Sequence, residues 1–312
     1  MELLSQPLRH TIRGELKQDV GYSDTGFKII MKRFSLTIIS QLICFCLLAQ
    51  EKYPALTNVI SFEELQNKSI ERKLRWKNPD GSQEEMKIVE MAIPFNDEIK
   101  NRTRDFVRSV YGLNSILVNP KMIVFHAMGD GDLKTSLEVS SFLNNRIPES
   151  WGDLSKAGSL PNGAHFIIDQ DGTVICLSPP VSKQNEEASL ERDNHRWYIK
   201  RHQDGNPVAI GIENLTAKGD YTSLTQKQLT SNAKLARWLI WFENGKIEFV
   251  ASHHHFNDDK KYNQFLKLLY LQNLKKEFRT KGRKDIGEKN LTEILRQINS
   301  FKIPVKSFFV SN

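Results

Sequence analysis

The sequence predicts an α/β domain with a mixed central β-sheet flanked by helices. Three observations predict it: apolar runs of strand length, a hairpin signal between two of them, and helical patterns interleaved with the rest. The first run, MIVFHAM from Met122 to Met128, has the continuous apolar character of a buried strand. AHFIID and TVICL follow, flanking Gln170, Asp171 and Gly172, a turn set that predicts a hairpin. VAIGIEN, ending at Asn214, reads as another buried strand. Ser223 then predicts a helix start, with Gln226 three residues on as its capping-box partner. Leu229, Ala233, Ala236 and Ile240 recur at helical spacing, and Gly245 ends the pattern. IEFVASH is one more strand, running into three consecutive histidines. Tyr262 to Phe278 predicts an amphipathic helix and Leu291 to Ile298 the last one.

The flanking segments are less regular. Residues 51–104 are polar and charged and predict a helical lead-in, continued by a helical stretch from Asn96 to Tyr111. Ser182 to Arg201 is charged and aperiodic, which predicts a surface loop near the site. Residues 301–312 read as a C-terminal tail, so the main domain is expected over residues 105–300.

Near the N-terminus, Lys32 and Arg33 precede the nearly uncharged run Phe34 to Ala49. This arrangement resembles a secretory signal peptide over residues 31–50, with Met31 as initiator and residues 1–30 as an over-called start. The run is shorter than the ~20 apolar residues of a membrane span, although retention as an anchor or lipidation at Cys44 or Cys46 stays open. Cleavage would leave Cys176 as the sole thiol, excluding an internal disulfide. The protein is therefore expected to be exported, to the periplasm or cell envelope.

A formal charge of +7 over 312 residues suits a polyanionic partner such as cell wall or acidic lipid. No arginine-rich arm and no interleaving of basic and aromatic residues points to nucleic acid. There is no HExxH helix and no paired-cysteine knuckle.

Chemistry concentrates at the ends of the apolar runs. His126, Glu213 and His253 each close a strand-like run, and Asp285 lies further on. Buried alone, such a carboxylate costs several kcal/mol, so it needs a partner. Two histidines and an aspartate match the three protein ligands of a catalytic zinc site, with a fourth position for water. Spacing alone does not say which of His253, His254 and His255 binds.

These pieces together resemble the zinc amidases of the N-acetylmuramoyl-L-alanine amidase type 2 group, relatives of T7-like lysozyme and peptidoglycan recognition proteins. KMIVFHAM is similar to the first zinc-histidine strand and LPNGAHFIIDQDGTV to the next hairpin. RHQDGNPVAIGIENLT and LTQKQLTSNAKLARWL resemble the following strand and the helix lining the sheet. FVASHHHFN resembles the second zinc-histidine strand, and GRKDIGEKNLTEIL the stretch supplying the third ligand. The resemblance implies a zinc cofactor on His126, His253 and Asp285. It implies Glu213 as general acid/base and Arg283 as oxyanion donor. His165 and His202 would contact substrate or orient a ligand, Asn214 would contact substrate, and the partner would be peptidoglycan, its glycan strand and stem peptide. Asp258 and Asp259, nearer His253, are alternative third ligands, but Gly287 and Glu288 continue the motif behind Asp285. Ile286 stands where the group usually has proline. A non-catalytic peptidoglycan-binding module on the same fold is the competing reading, followed by a different zinc hydrolase.

Overall fold

A computed structural model describes residues 60–108, 112–139, 163–199, 208–257 and 285–307. All of them belong to one compact unit, Tyr53–Asn312. The expected leader at 31–50, the helix at Tyr262 to Phe278, and residues His202, Asp258, Asp259 and Arg283 lie outside the described residues. Among the described residues, no helix is long and apolar enough to cross a membrane.

The centre is an eight-stranded mixed sheet. In chain order its strands are β1 (Ile70–Lys77), β2 (Gln83–Glu90), β4 (Met122–Met128), β5 (Phe166–Ile168), β6 (Val174–Cys176), β9 (Ala209–Leu215), β10 (Phe249–Ser252) and β11 (Lys306–Ser307). They lie in the order β1-β2-β6-β5-β9-β4-β10-β11. The inner four, β5, β9, β4 and β10, are mutually parallel. β4 and β9 are buried at every position, which is why they read in the sequence as unbroken apolar runs.

Five helices are described: α1 (Phe62–Asn67), α2 (Asp97–Phe106), α3 (Leu133–Val139), α4 (Gln226–Phe242) and α5 (Gly287–Asn299). Strand alternation sorts the core into two faces. Phe125, Phe166, Ile168, Ile210 and Ile212 pack towards Leu235, Trp238 and Leu239 of α4 and Ile294 of α5. Met128, Ile167, Ile175 and Leu215 pack on the other face with Leu65 of α1 and Leu137 of α3. His126 and Glu213 share the side-chain parity of Met128 and Leu215, so they belong to this second face.

The hairpin between β5 and β6 forms as predicted, with Phe166 opposite Cys176. Gly172 has φ +88, and a Cβ there would come within 3.0 Å of Lys227 on α4, so the turn and the close approach both require glycine. The α4 start differs from the sequence expectation. Asp220 accepts hydrogen bonds from the backbone N–H groups of Thr222 and Ser223, which keeps Ser223 in a turn. Thr225 is the N-cap instead, in a reciprocal capping box with Gln228.

Three flanking expectations are corrected. Where it is described, from residue 60, the expected helical lead-in is largely sheet: β1 and β2 form an antiparallel hairpin that extends the central sheet through β6. Charges on their outer face masked the alternation of Leu74, Trp76, Met86 and Ile88, which are buried. The segment from Ser182 to Arg201 is not a surface loop throughout. β7 (Val181–Ser182) and β8 (His195–Tyr198) form a small sheet with β3 (Leu117–Val118). His195 and Trp197 turn inward, and both hydrogen-bond Glu243 Oε1 at 2.6 Å. Residues 301–307 are not a tail either, because Ile303 and Val305 are buried and β11 pairs with β10.

Arg237 of α4 clamps this hairpin to the helix layer. Its guanidinium donates two 2.6 Å hydrogen bonds to the Glu84 carboxylate. Burial pushes the Glu84 carboxyl up, but hydrogen bonds from Arg237 and Asn78 and the guanidinium charge reverse this, so its pKa lies below the usual carboxylate value. A depressed carboxylate pKa contributes stability above the unfolded value of 4.5 that is lost as pH falls through the folded value.

Candidate metal centre

The candidate site sits at the C-terminal ends of the parallel strands, where open α/β sheets present side chains to a cleft. β10 stops at Ser252, paired with Phe125, and the chain turns into a 3-10 helix over His253–Asn257. β4 continues three residues further, so His126, Ala127 and Met128 lack a β10 neighbour. Two groups use that gap. The His253 ring meets the His126 ring edge-on, Nδ1 to Nδ1 at 3.0 Å. The backbone N–H of Ala127 points at Asp285 Oδ1, 3.4 Å away.

Asp285 reaches this position through an unusual backbone. Its φ is +40, in the left-handed region that aspartate enters more readily than most residues. The bend stands just before α5 and directs the carboxylate back to the sheet, with Oδ2 at 3.5 Å from His253 Nδ1. Left-handed backbone in a non-glycine residue costs about 1 kcal/mol or more, and such outliers cluster at functional sites. All three side chains are buried.

The donor set fits a zinc ion. One atom from each of His126, His253 and Asp285 lies within 4.8 Å of the others. Ligands at zinc's ~2.0–2.1 Å, arranged as a tetrahedron, stand about 3.3 Å apart. The 3.0 Å and 3.5 Å separations bracket that value. Two imidazoles and a carboxylate are also the nitrogen and oxygen donors that zinc takes.

Glu213 joins the three from the neighbouring strand. It pairs with His126 across the parallel ladder, one strand spacing of ~4.8 Å away, on the same face. It is buried as well. A buried carboxyl beside candidate metal ligands is a setting in which proton-transfer groups are tuned.

Residues 117–263 match the family model for N-acetylmuramoyl-L-alanine amidase. Over those residues the chain is similar to that amidase family. The matched segment contains β4, β9 and β10, and so His126, Glu213 and His253. Asp285 lies beyond it, and only the fold brings it to the histidines. Among solved structures, the chain is similar to the N-acetylmuramoyl-L-alanine amidase LysC from Clostridium intestinale URNW. Identity is 22%, coverage is 51% of this chain and 92% of that one, and the TM-score is 0.28. The endolysin amidase LysCS from the same organism gives 21%, 51%, 90% and 0.28. No curated protein matches the chain.

Two of the residues expected to contact substrate are placed elsewhere. His165 is fully buried and bridges two backbones: Gly211 N–H donates to its Nδ1 at 3.1 Å, and its Nε2 meets the Tyr198 carbonyl at 3.0 Å. It braces the main sheet against the small one. Asn214 follows Glu213 in β9, so alternation turns it to the opposite face, towards α4. There Asn232 Nδ2 donates to Asn214 Oδ1 at 2.6 Å, and Asn214 Nδ2 donates to the His126 carbonyl at 3.0 Å. Gln228 of α4 completes the network by donating to the carbonyls of Ile168 and Leu215. α4 thus fixes the His126 backbone from beneath the sheet.

This correction carries an expected result. Asn214→Ala leaves the Asn232 amide and the His126 carbonyl without these partners, at roughly 1–3 kcal/mol for each buried group left unsatisfied. Chemical denaturation of metal-free protein should show that loss of stability, and an unchanged midpoint would remove the bracing role.

Sequence reasoning missed two further features near the site. His255 Nε2 lies 2.7 Å from Glu288 Oε2 on the first turn of α5. His254 Nδ1 meets Ser252 Oγ at 2.8 Å. No spacing rule connects residues 33 positions apart, so this contact had no sequence signal.

Proposed function

We propose that the protein hydrolyses the amide bond between N-acetylmuramic acid and L-alanine in peptidoglycan, using a zinc ion held by His126, His253 and Asp285. The observation that carries the proposal is the convergence of those three buried side chains, with Glu213 beside them on the next strand. The family-model match over residues 117–263 supports the substrate class. The basic net charge supports an anionic cell-wall partner. The leader-like segment before Gln50, Lys32 and Arg33 followed by an uncharged run, supports action outside the cytoplasm.

Zinc bound there supplies Lewis acidity towards the lactyl carbonyl and the attacking water. Glu213 accepts a proton from that water as its oxygen bonds to the carbonyl carbon. Glu213 then delivers the proton to the alanine nitrogen as the carbon–nitrogen bond breaks. The products are a free lactyl carboxylate on the sugar and a stem peptide with a new amino terminus. The Ala127 N–H keeps Asp285 Oδ1 occupied, which orients Oδ2 towards His253. Arg283 is proposed as the donor to the developing oxyanion, worth about 3 kcal/mol of barrier in such sites.

Digestion of purified sacculi tests the reading. Mass spectrometry should find free stem peptides beginning at L-alanine and intact glycan strands, with release abolished by a chelator and restored by zinc. Binding without release would identify a peptidoglycan-binding module. Cleavage at another bond would identify a different hydrolase.

A further inference from the structure

Asp285 and His253 must meet although a long stretch of chain separates them, and a second set of contacts ties their elements together. Ser252 ends β10, one residue before His253. Its backbone N–H donates to His255 Nδ1 at 3.4 Å. A ring nitrogen that accepts a hydrogen bond carries no proton, so the neutral ring keeps its proton on Nε2. That Nε2–H donates to Glu288 Oε2 at 2.7 Å, a charge-assisted bond to a residue three positions after Asp285. His255 is buried and the Glu288 side chain is 50% exposed, so the buried ring forms the fixed end of the tie.

His254, His255 and Glu288 also have donor atoms within 4.8 Å of one another, which raises a second cation site as the competing reading. That reading needs a lone pair on His255 Nε2 and hence a proton on Nδ1, aimed at the Ser252 N–H. Ser252 opposes that tautomer. His254 Nε2 stands 3.8 Å from the same Glu288 oxygen and adds little to the pair.

We propose that His255 and Glu288 are positioning residues, a hydrogen-bonded tie between the end of β10 and the start of α5 that holds Asp285 at its coordinating distance from His253. The proposal rests on the zinc reading above.

Zinc affinity of the full chain, measured by competition with a chromophoric chelator, tests it. Glu288→Ala should weaken zinc binding 10–100-fold, the effect expected when an outer support of a ligand is removed. His255→Ala should weaken it similarly, and the double variant no further, because the two act as one unit. Glu288→Gln keeps an acceptor for the His255 N–H without the charge and should bind within about threefold of wild type. A role confined to the charge at the helix start would instead make glutamine behave like alanine. Metal-free Glu288→Ala should melt near metal-free wild type, which separates positioning from general stability. Wild-type affinity in Glu288→Ala overturns the tie, as does a wild type holding two zinc ions of which Glu288→Ala loses one. A wild type that takes up no zinc sinks the proposed function itself, an outcome visible before any variant is compared.

Discussion

His126→Ala is expected to lose zinc and, with it, amide hydrolysis. The substitution removes one of the two imidazoles that face each other at 3.0 Å and leaves His253 and Asp285 as a two-donor remnant. Changes around a metal's direct ligands typically cost 10–100-fold in affinity, so loss of a direct ligand should exceed that, on the order of 10³-fold. His253→Ala and Asp285→Ala should behave alike, because each leaves an incomplete set. Zinc content after native purification, with turnover on soluble muropeptides, checks the expectation. A His126→Ala protein that keeps one zinc and full turnover would remove these residues as ligands.

Glu213→Gln should separate binding from chemistry. Glutamine keeps the shape and a hydrogen-bonding oxygen at the position paired with His126, but it takes up no proton. General acid–base groups contribute typically 10²–10⁴-fold, so kcat should fall by about that factor while zinc content holds. Release of stem-peptide amines under saturating substrate, beside metal analysis of the same sample, reads both quantities. Unchanged turnover would take the proton-transfer role from Glu213, and loss of zinc would make it a ligand.

The elements that carry the histidines were legible in the sequence because their strands are buried on both faces. Met122–Met128 is both the apolar run and the observed strand β4, and Glu213 was conspicuous as a charge within such a run. Edge elements were harder to read. β1 and β2 bury one face and expose charges on the other, and β11 is two residues whose place depends on Ile303 and Val305 packing before it. Within the site, the two histidines and Glu213 followed from their place at apolar runs, whereas Asp285 came only from the family's motif order. Its convergence depends on a left-handed backbone and on the Ala127 N–H, which lies beyond the end of β10 and donates to Asp285. Asn214 was misplaced although alternation alone puts it on the face opposite Glu213. The bracing contacts of His165 were not legible, because nothing in its neighbourhood in the chain reveals that Gly211 and Tyr198 fold onto its ring.

X-ray absorption at the zinc edge, on protein purified without added chelator, tests the central claim most directly. The account predicts one zinc per chain, with two imidazole nitrogens at about 2.0–2.1 Å and carboxylate or water oxygen at about 2.0–2.2 Å, and the imidazole features reduced in His126→Ala. Zinc-free protein that still releases stem peptides from sacculi, or a zinc shell with no imidazole scattering, would contradict it.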